Sequence, residues 1–348
     1  MIKKRIADYG VRVGDMERGK LNKITDVPGV RVGHATIEDD RHHTGVTVIM
    51  PCEDNMFKNK LTAASYVLNG FGKTQGLVQI DELGTMETPV ALTNTLNVGK
   101  VHDALVSYMV DRCAQDRVEM HSINPVVGEC NDASLNAIAD RPVTECHVMQ
   151  AIESACEDFE EGCVGAGAGT ICHDLKGGIG SASRVMTIAG QNYTLGVLVQ
   201  SNHGCLQELH VMERPLGREI IDKRNAAPQE QPNDLGSIMM VVATDLPVSD
   251  RQLRRILKRC SVGLARNGSY FGHGSGDVMI GFTTANRMPH GGMHRVITHQ
   301  VLLENALEQA FRAAAEATQE AVLNSLCAAH EVVSPINGKT YESITKYL

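Results

Sequence analysis

Arg266-Asn267-Gly268-Ser269-Tyr270 lies between an apolar helical stretch and the glycine-rich run Gly272-His273-Gly274-Ser275-Gly276-Asp277. An Asn-Gly pair ordinarily marks a turn. The serine that follows admits a second reading. A hydroxyl placed after glycine can attack the preceding carbonyl when the backbone is held in strain, because glycine has no Cβ to block the approach. The peptide then becomes an ester, and water releases Ser269 as a new N-terminus. That residue would carry both a hydroxyl nucleophile and an α-amine, whose reference pKa of roughly 7.7–8.0 suits a base near neutrality.

Other constellations fail on their spacing. Gly70-Phe71-Gly72-Lys73-Thr74 ends like a phosphate-binding loop, but Val67 stands where that motif requires glycine. Gly165-Ala166-Gly167-Ala168-Gly169-Thr170 and Lys176-Gly177-Gly178-Ile179-Gly180 lack the dinucleotide-binding offset, although either could form a backbone nest. His42-His43 and the trio His290, His294 and His299 contain no His-Glu-x-x-His pair. The ten cysteines include no Cys-x-x-Cys and read as scattered buried thiols in a reducing compartment. No metal centre and no cofactor are expected.

The elements that must hold Ser269 alternate between strands and helices. A strand is expected at 44–51, where β-branched residues lie between glycine and proline, and similar strands at 195–200, 237–244 and 277–284. Helical periodicity covers 101–112, 148–159, 250–264 and 299–326. In the third of these, Ser249 or Asp250 can cap the first turn, and Leu253, Ile256, Leu257, Cys260 and Leu264 form one apolar face. The basic residues Arg251, Arg254, Arg255, Lys258 and Arg259 read as a solvated opposite face. Gly263 and Asn267-Gly268 read as the end of this helix. The last helix carries an alanine stripe suited to close packing on a sheet.

Composition bounds the rest. The chain has 348 residues, 43% of them hydrophobic, which supports a large core in one domain. A net charge of −8 and 4% aromatic residues argue against nucleic acid and anionic lipid as partners. The basic start Lys3-Lys4-Arg5 leads into no apolar core, so a secretory signal is not expected. The longest apolar runs fall far below the roughly 20 residues that cross a bilayer. A cytoplasmic protein is expected.

Eight ordered segments then resemble one family. They are NKITDVPGVRVGH (22–34), TGVTVI (44–49), TPVALTNT (88–95), PVVGE (125–129), KGGIGSASR (176–184), GVLVQSN (196–202), GLARNGS (263–269) and GSGD (274–277). Together they are similar to the L-aminopeptidase/D-Ala-esterase (DmpA) family, which includes β-peptidyl aminopeptidases and is related to nylon-oligomer hydrolases. The resemblance implies an α/β, four-layer αββα sandwich like that of N-terminal-nucleophile hydrolases. It also implies self-cleavage between Gly268 and Ser269 into an α chain of residues 1–268 and a β chain of residues 269–348, and assembly into a homo-oligomer, tetrameric or larger.

Site roles follow from the same resemblance. Asn202 matches an oxyanion donor, although an asparagine at a strand end is ordinarily a turn or cap. Glu129 matches the acid that binds a substrate ammonium, its plain alternative being an exposed loop carboxylate. Lys176 matches a lysine near the nucleophile, or else is a solvated turn residue. Two positions depart from the pattern. Asn131 stands where a tyrosine assists the oxyanion, a role in which its amide can substitute, and Glu304 is the lone acid near Leu303-Glu304-Asn305, where the family has a serine-x-acid or acid-x-acid pair. Thr283 stands where serine is common. The activity implied is release of N-terminal residues from short peptides, amides or esters through an acyl-enzyme on Ser269. The alternative is an unprocessed relative that binds a small metabolite without turnover.

Overall fold

The computed structural model describes residues 5–225, 234, 236–291 and 296–348; His294 lies outside them. The strands are β1 (Arg31–Glu38), β2 (His43–Met50), β3 (Asn59–Gly70), β4 (Thr85–Met86), β5 (Val90–Asn94), β6 (Val126–Cys130), β7 (Ile171–Cys172), β8 (Leu175–Lys176), β9 (Gly178–Ile188), β10 (Gln191–Asn202), β11 (Ser237–Thr244) and β12 (Gly276–Pro289). The α-helices are α1 (Leu77–Leu83), α2 (Val98–Gln115), α3 (Glu145–Glu153), α4 (Leu216–Lys223), α5 (Asp250–Leu257), α6 (Cys260–Arg266) and α7 (Glu308–Ala328).

Of the two large sheets, one has the order β1-β2-β5-β6 and the other β4-β3-β12-β11-β10-β9; two short hairpins pair β7 with β8 and Val332–Val333 with Thr340–Tyr341. Pairing is antiparallel except for β5 with β6 and β11 with β12. The period-2 rule assigns the faces of the larger sheet. In β11, Ile238, Met240 and Val242 join the core under α5, α6 and α7, whereas Met239, Val241 and Ala243 meet Val90, Ala91 and Leu92 of the smaller sheet. With α2 and α3 packed outside the smaller sheet, the layers run α, β, β, α. This is the expected sandwich.

The strands expected at 44–51 and 237–244 match β2 and β11 closely. The helices shift more. The pattern at 148–159 gives a helix ending at Glu153, because the backbone of Cys156 instead bonds to Val32 of β1 in both directions, at 3.0 Å. The stretch 299–307 is not α-helical: Leu302 N–H is held by Pro247 O and Gln300 N–H by Asn286 Oδ1, leaving α7 to start at Glu308. The 250–264 helix breaks into α5 and α6 where Arg259 N–H bonds three residues back, to Ile256 O. Its N-terminus carries the expected cap, with Ser249 Oγ accepting from Gln252 N–H at 3.2 Å.

Two readings of small residues change. Gly263 does not end a helix; it sits inside α6, where a Cβ would meet Ala315 O of α7 at 2.6 Å. The alternation at 165–169 is no nest awaiting an anion, because Gly165 N–H and Ala166 N–H are taken by the hydroxyls of Thr36 and Thr47. Nor are the basic residues of 251–259 simply solvated. Arg254 pairs with Asp81, and Arg259 lies 3.9 Å from the centre of the Phe311 ring.

Candidate active site

Adjacent strand ends meet at one edge of the sandwich. Asn202 closes β10, pairs with Ser237 at the start of β11, and Ser237 pairs with Gly276 at the start of β12. The end of β6 reaches the same place from the other sheet, because Cys130 Sγ lies 3.4 Å from Gln200 O and 3.5 Å from Ser237 O. The chain at 71–73 spans the gap. A Cβ on Gly72 would lie 3.5 Å from Glu129 Oε1 and 4.0 Å from Gly276 Cα.

Ser269 stands on the connection from α6 to β12 and is buried. Helix α6 ends at Arg266, and Asn267 ties the turn to α7 by donating from Nδ2 to Gln319 O at 3.0 Å. Gly268 has φ +100°, a conformation that favours glycine, and any Cβ there would fall 1.6 Å from Glu208 O. The nitrogen of Ser269 donates to Leu264 O at 3.1 Å, and its Oγ accepts from Phe271 N–H at 3.4 Å. Tyr270 carries the loop back to the segment after Asn202, with its hydroxyl 3.9 Å from Cys205 Sγ. The nucleophile candidate is therefore fixed at its nitrogen and preceded by a backbone that only glycine can adopt.

Glu129 is not an exposed loop carboxylate. It is buried, with Oε1 accepting from Lys73 N–H at 2.9 Å and Oε2 accepting from the Thr95 hydroxyl. A carboxylate has about four lone-pair sites, so these donors orient it and leave capacity for a cationic ligand. Asn202 is buried too, and its Oδ1 accepts from Ile171 N–H at 2.9 Å. That bond fixes the amide and leaves Nδ2 as its donor.

Lys176 is no solvated turn residue. It is fully buried, and its ammonium donates to Gly167 O, Thr170 O and Gly177 O at 3.1, 2.9 and 2.8 Å. Burial lowers its pKa. The peptide between Thr170 and Ile171 is thus gripped at both ends, its carbonyl by Lys176 and its N–H by Asn202 Oδ1. Lys176 positions Asn202 through that one peptide unit. Its charge also acts on the neighbouring Cys163, which burial pushes up but Lys176 and His330 bring down to about 7.

The remaining two residues differ in placement: Asn131 directly follows the end of β6, whereas Glu304 lies elsewhere. Asn131 is exposed and caps a turn, its Oδ1 accepting from Ala133 N–H at 3.0 Å. Glu304 is not brought to the site. Its carboxylate is held by Arg251, Gln252 and Arg255 of α5, and the neighbouring Leu302 bonds to Pro247, beyond the far end of β11. Seven residue steps along β11 separate Thr244 at that end from Ser237, about 23 Å at roughly 3.3 Å per step. The sequence match placed an acid there, but the arginines of α5 claim it.

A residue that sequence reasoning did not single out is Asp277, one position into β12. It is buried, accepts from Ser275 Oγ at 2.9 Å through Oδ1, and has no protein partner for Oδ2 among the described residues. Burial raises its pKa to about 7, aided by the charge of Asp234. The folded state therefore binds this proton more tightly than the unfolded state. Its penalty is absent below about pH 4, grows as pH rises, and is complete above about 7. Asp277→Asn, which keeps the acceptor for Ser275, is expected to stabilise the fold by up to about 4 kcal/mol at pH 8 and by little near pH 4. Thermal unfolding across this range reads it; an equal effect at both pH values would contradict the burial of a neutral carboxyl.

The αββα layers and a buried serine behind a glycine-only backbone define a peptide-bond hydrolase of the N-terminal-nucleophile kind. Residues 22–340 match peptidase family S58, and the chain belongs to that family. It is 36% identical over 348 residues to the β-peptidyl aminopeptidase BapA of Sphingosinicella xenopeptidilytica, covering 93% of this chain and 85% of that protein. The crystal structure of the PH0078 protein from Pyrococcus horikoshii OT3 superposes with a TM-score of 0.91 at 42% identity, covering 99% of this chain and 96% of the other. The L-aminopeptidase D-Ala-esterase/amidase of Ochrobactrum anthropi, described as a prototype for the serine aminopeptidases and a new variant of the Ntn hydrolase fold, gives 0.90 at 35% identity, with coverages of 98% and 95%.

Proposed function

We propose that the chain cleaves itself between Gly268 and Ser269 and then acts as an aminopeptidase and amidase on short peptides, amino-acid amides or esters. The observation that carries this is the buried Ser269, held at its nitrogen by Leu264 O and preceded by Gly268 at φ +100°. Ser269 Oγ attacks the Gly268 carbonyl carbon; the C–N bond breaks, the nitrogen takes the hydroxyl proton, and water hydrolyses the resulting ester. The freed α-amine is the base for substrate turnover. It accepts the Ser269 hydroxyl proton as Oγ attacks the substrate carbonyl, and it returns a proton to the leaving amine. Asn202 Nδ2 donates to the oxyanion, and water then resolves the acyl-enzyme.

In this reading Glu129 holds the substrate's free ammonium, which selects N-terminal residues. Glu129→Gln keeps the oxygen that accepts from Lys73 but removes the charge. It is expected to raise KM for an aminoacyl amide about 10- to 100-fold, the scale of a lost charge-assisted hydrogen bond, with kcat changed far less. The slow hydrolysis of the N-acetylated amide should not change. Equal losses on both substrates would remove Glu129 from ammonium binding.

The two resulting chains would stay together, since β12 and α7 pack with β3, β9 and β11 from before the cut. A homo-oligomer is supported by exposed apolar side chains on one segment, Val296, Val301 and Leu303. Among the described residues no helix is long and apolar enough to cross a membrane. All ten cysteines are unpaired, which supports a reducing, cytoplasmic compartment.

A further inference from the structure

Cys172 closes β7, His173 begins the turn to β8, and His203 follows β10; the fold brings them together although about thirty residues separate them. One ligand atom from each lies within 4.8 Å of the other two, and all three residues are buried. The bonding of His173 fixes its tautomer. Nδ1 lies 3.0 Å from Cys205 O, which can only accept, so Nδ1 carries the proton and Nε2 carries a bare lone pair. That Nε2 is buried with no partner among the described residues, and so is Nε2 of His203. His203 Nδ1 faces Cys172 Sγ at 3.9 Å, and the two rings stand edge to face with centroids 5.3 Å apart. Unpartnered polar atoms in a buried site are costly.

We propose that Cys172, His173 and His203 bind a borderline-soft divalent metal ion of the zinc type. The donor set, one sulfur and two imidazoles, is the one such ions take. An imidazole whose second nitrogen donates to a backbone carbonyl is the arrangement that orients a metal-bound histidine. A tetrahedral ion with bonds of about 2.0–2.3 Å sets its ligand atoms about 3.3–3.8 Å apart, so contractions of about 1 Å close the set. Binding releases the Cys172 proton to solvent and leaves the thiolate on the ion. The nearby Asp234 carboxylate, which accepts from Gly204 N–H at 2.9 Å and has no partner for its second oxygen among the described residues, offsets the remaining charge. The site adjoins Asn202 in sequence, so an occupied site fixes the strand end that presents that amide. The motif search found no metal centre because this one has no local spacing; pairing of distant segments makes it.

The full-length protein, stripped by chelator and dialysed against Co²⁺ or Zn²⁺, is expected to retain about one ion per chain. The cobalt form should show thiolate-to-metal charge-transfer absorption, and zinc should raise the melting temperature. Cys172→Ser should abolish the charge-transfer band, and His173→Gln should reduce retained metal at least about tenfold. No retained ion in the wild type would overturn the proposal. So would unchanged binding in both variants, or cobalt bound without the thiolate band. Because the wild-type stoichiometry and band decide the matter alone, a variant that fails to fold does not rescue it.

Discussion

Ser269→Ala is expected to accumulate as a single uncut chain of 37.7 kDa with no turnover of aminoacyl amides, while folding as the wild type does. The methyl group of alanine fits wherever the serine Cβ sits, and among the described residues the Ser269 hydroxyl makes one long hydrogen bond, 3.4 Å to Phe271 N–H. Little stability is lost. Activity should vanish for two separate reasons. No hydroxyl remains to attack either the Gly268 carbonyl or the substrate, and no α-amine is liberated to accept a proton. Mass spectrometry under denaturing conditions and an amide-hydrolysis assay on the same sample separate these effects. A variant that is processed, or active while uncut, would take the nucleophile away from residue 269.

Asn202→Asp should reduce kcat by about 10²–10³-fold with KM within about threefold of wild type, the scale seen when one oxyanion donor is removed. The substitution is nearly isosteric and keeps Oδ1, so the bond from Ile171 N–H at 2.9 Å survives and the Thr170–Ile171 peptide stays on Lys176. What disappears is the Nδ2 donor, replaced by an acceptor with negative charge. Kinetics are compared on fully processed enzyme, so that slower maturation does not enter kcat. A kcat within threefold of wild type would move the oxyanion contact elsewhere.

Much of this was legible in the chain. Strand β11 falls where its β-branched run lies, and the Gly268-Ser269 pair after an apolar helix, taken with the family's motifs, singles out the nucleophile candidate. The environments of the charged residues were not legible. Lys176, matched to a lysine near the nucleophile, would without that match read as a turn residue beside two glycines, yet three backbone carbonyls from 167–177 close around its ammonium. Glu129, matched to an ammonium-binding acid, would without that match read as a loop acid, yet the amide of Lys73 and the hydroxyl of Thr95 meet it inside. Glu304 reads as a site acid and is instead drawn to the arginines of α5. In each case the deciding partners are distant or backbone atoms, which local spacing does not encode. The same holds for Asp277, whose burial is set by strand neighbours, and for Cys172, His173 and His203.

The central claim is that this chain makes its own nucleophile, and the intact mass of freshly purified wild-type protein under denaturing conditions tests it most directly. The account predicts two chains, the smaller of them beginning Ser269-Tyr270-Phe271 on N-terminal sequencing. A single full-length mass that persists through long incubation, in a preparation that still hydrolyses aminoacyl amides, would contradict it.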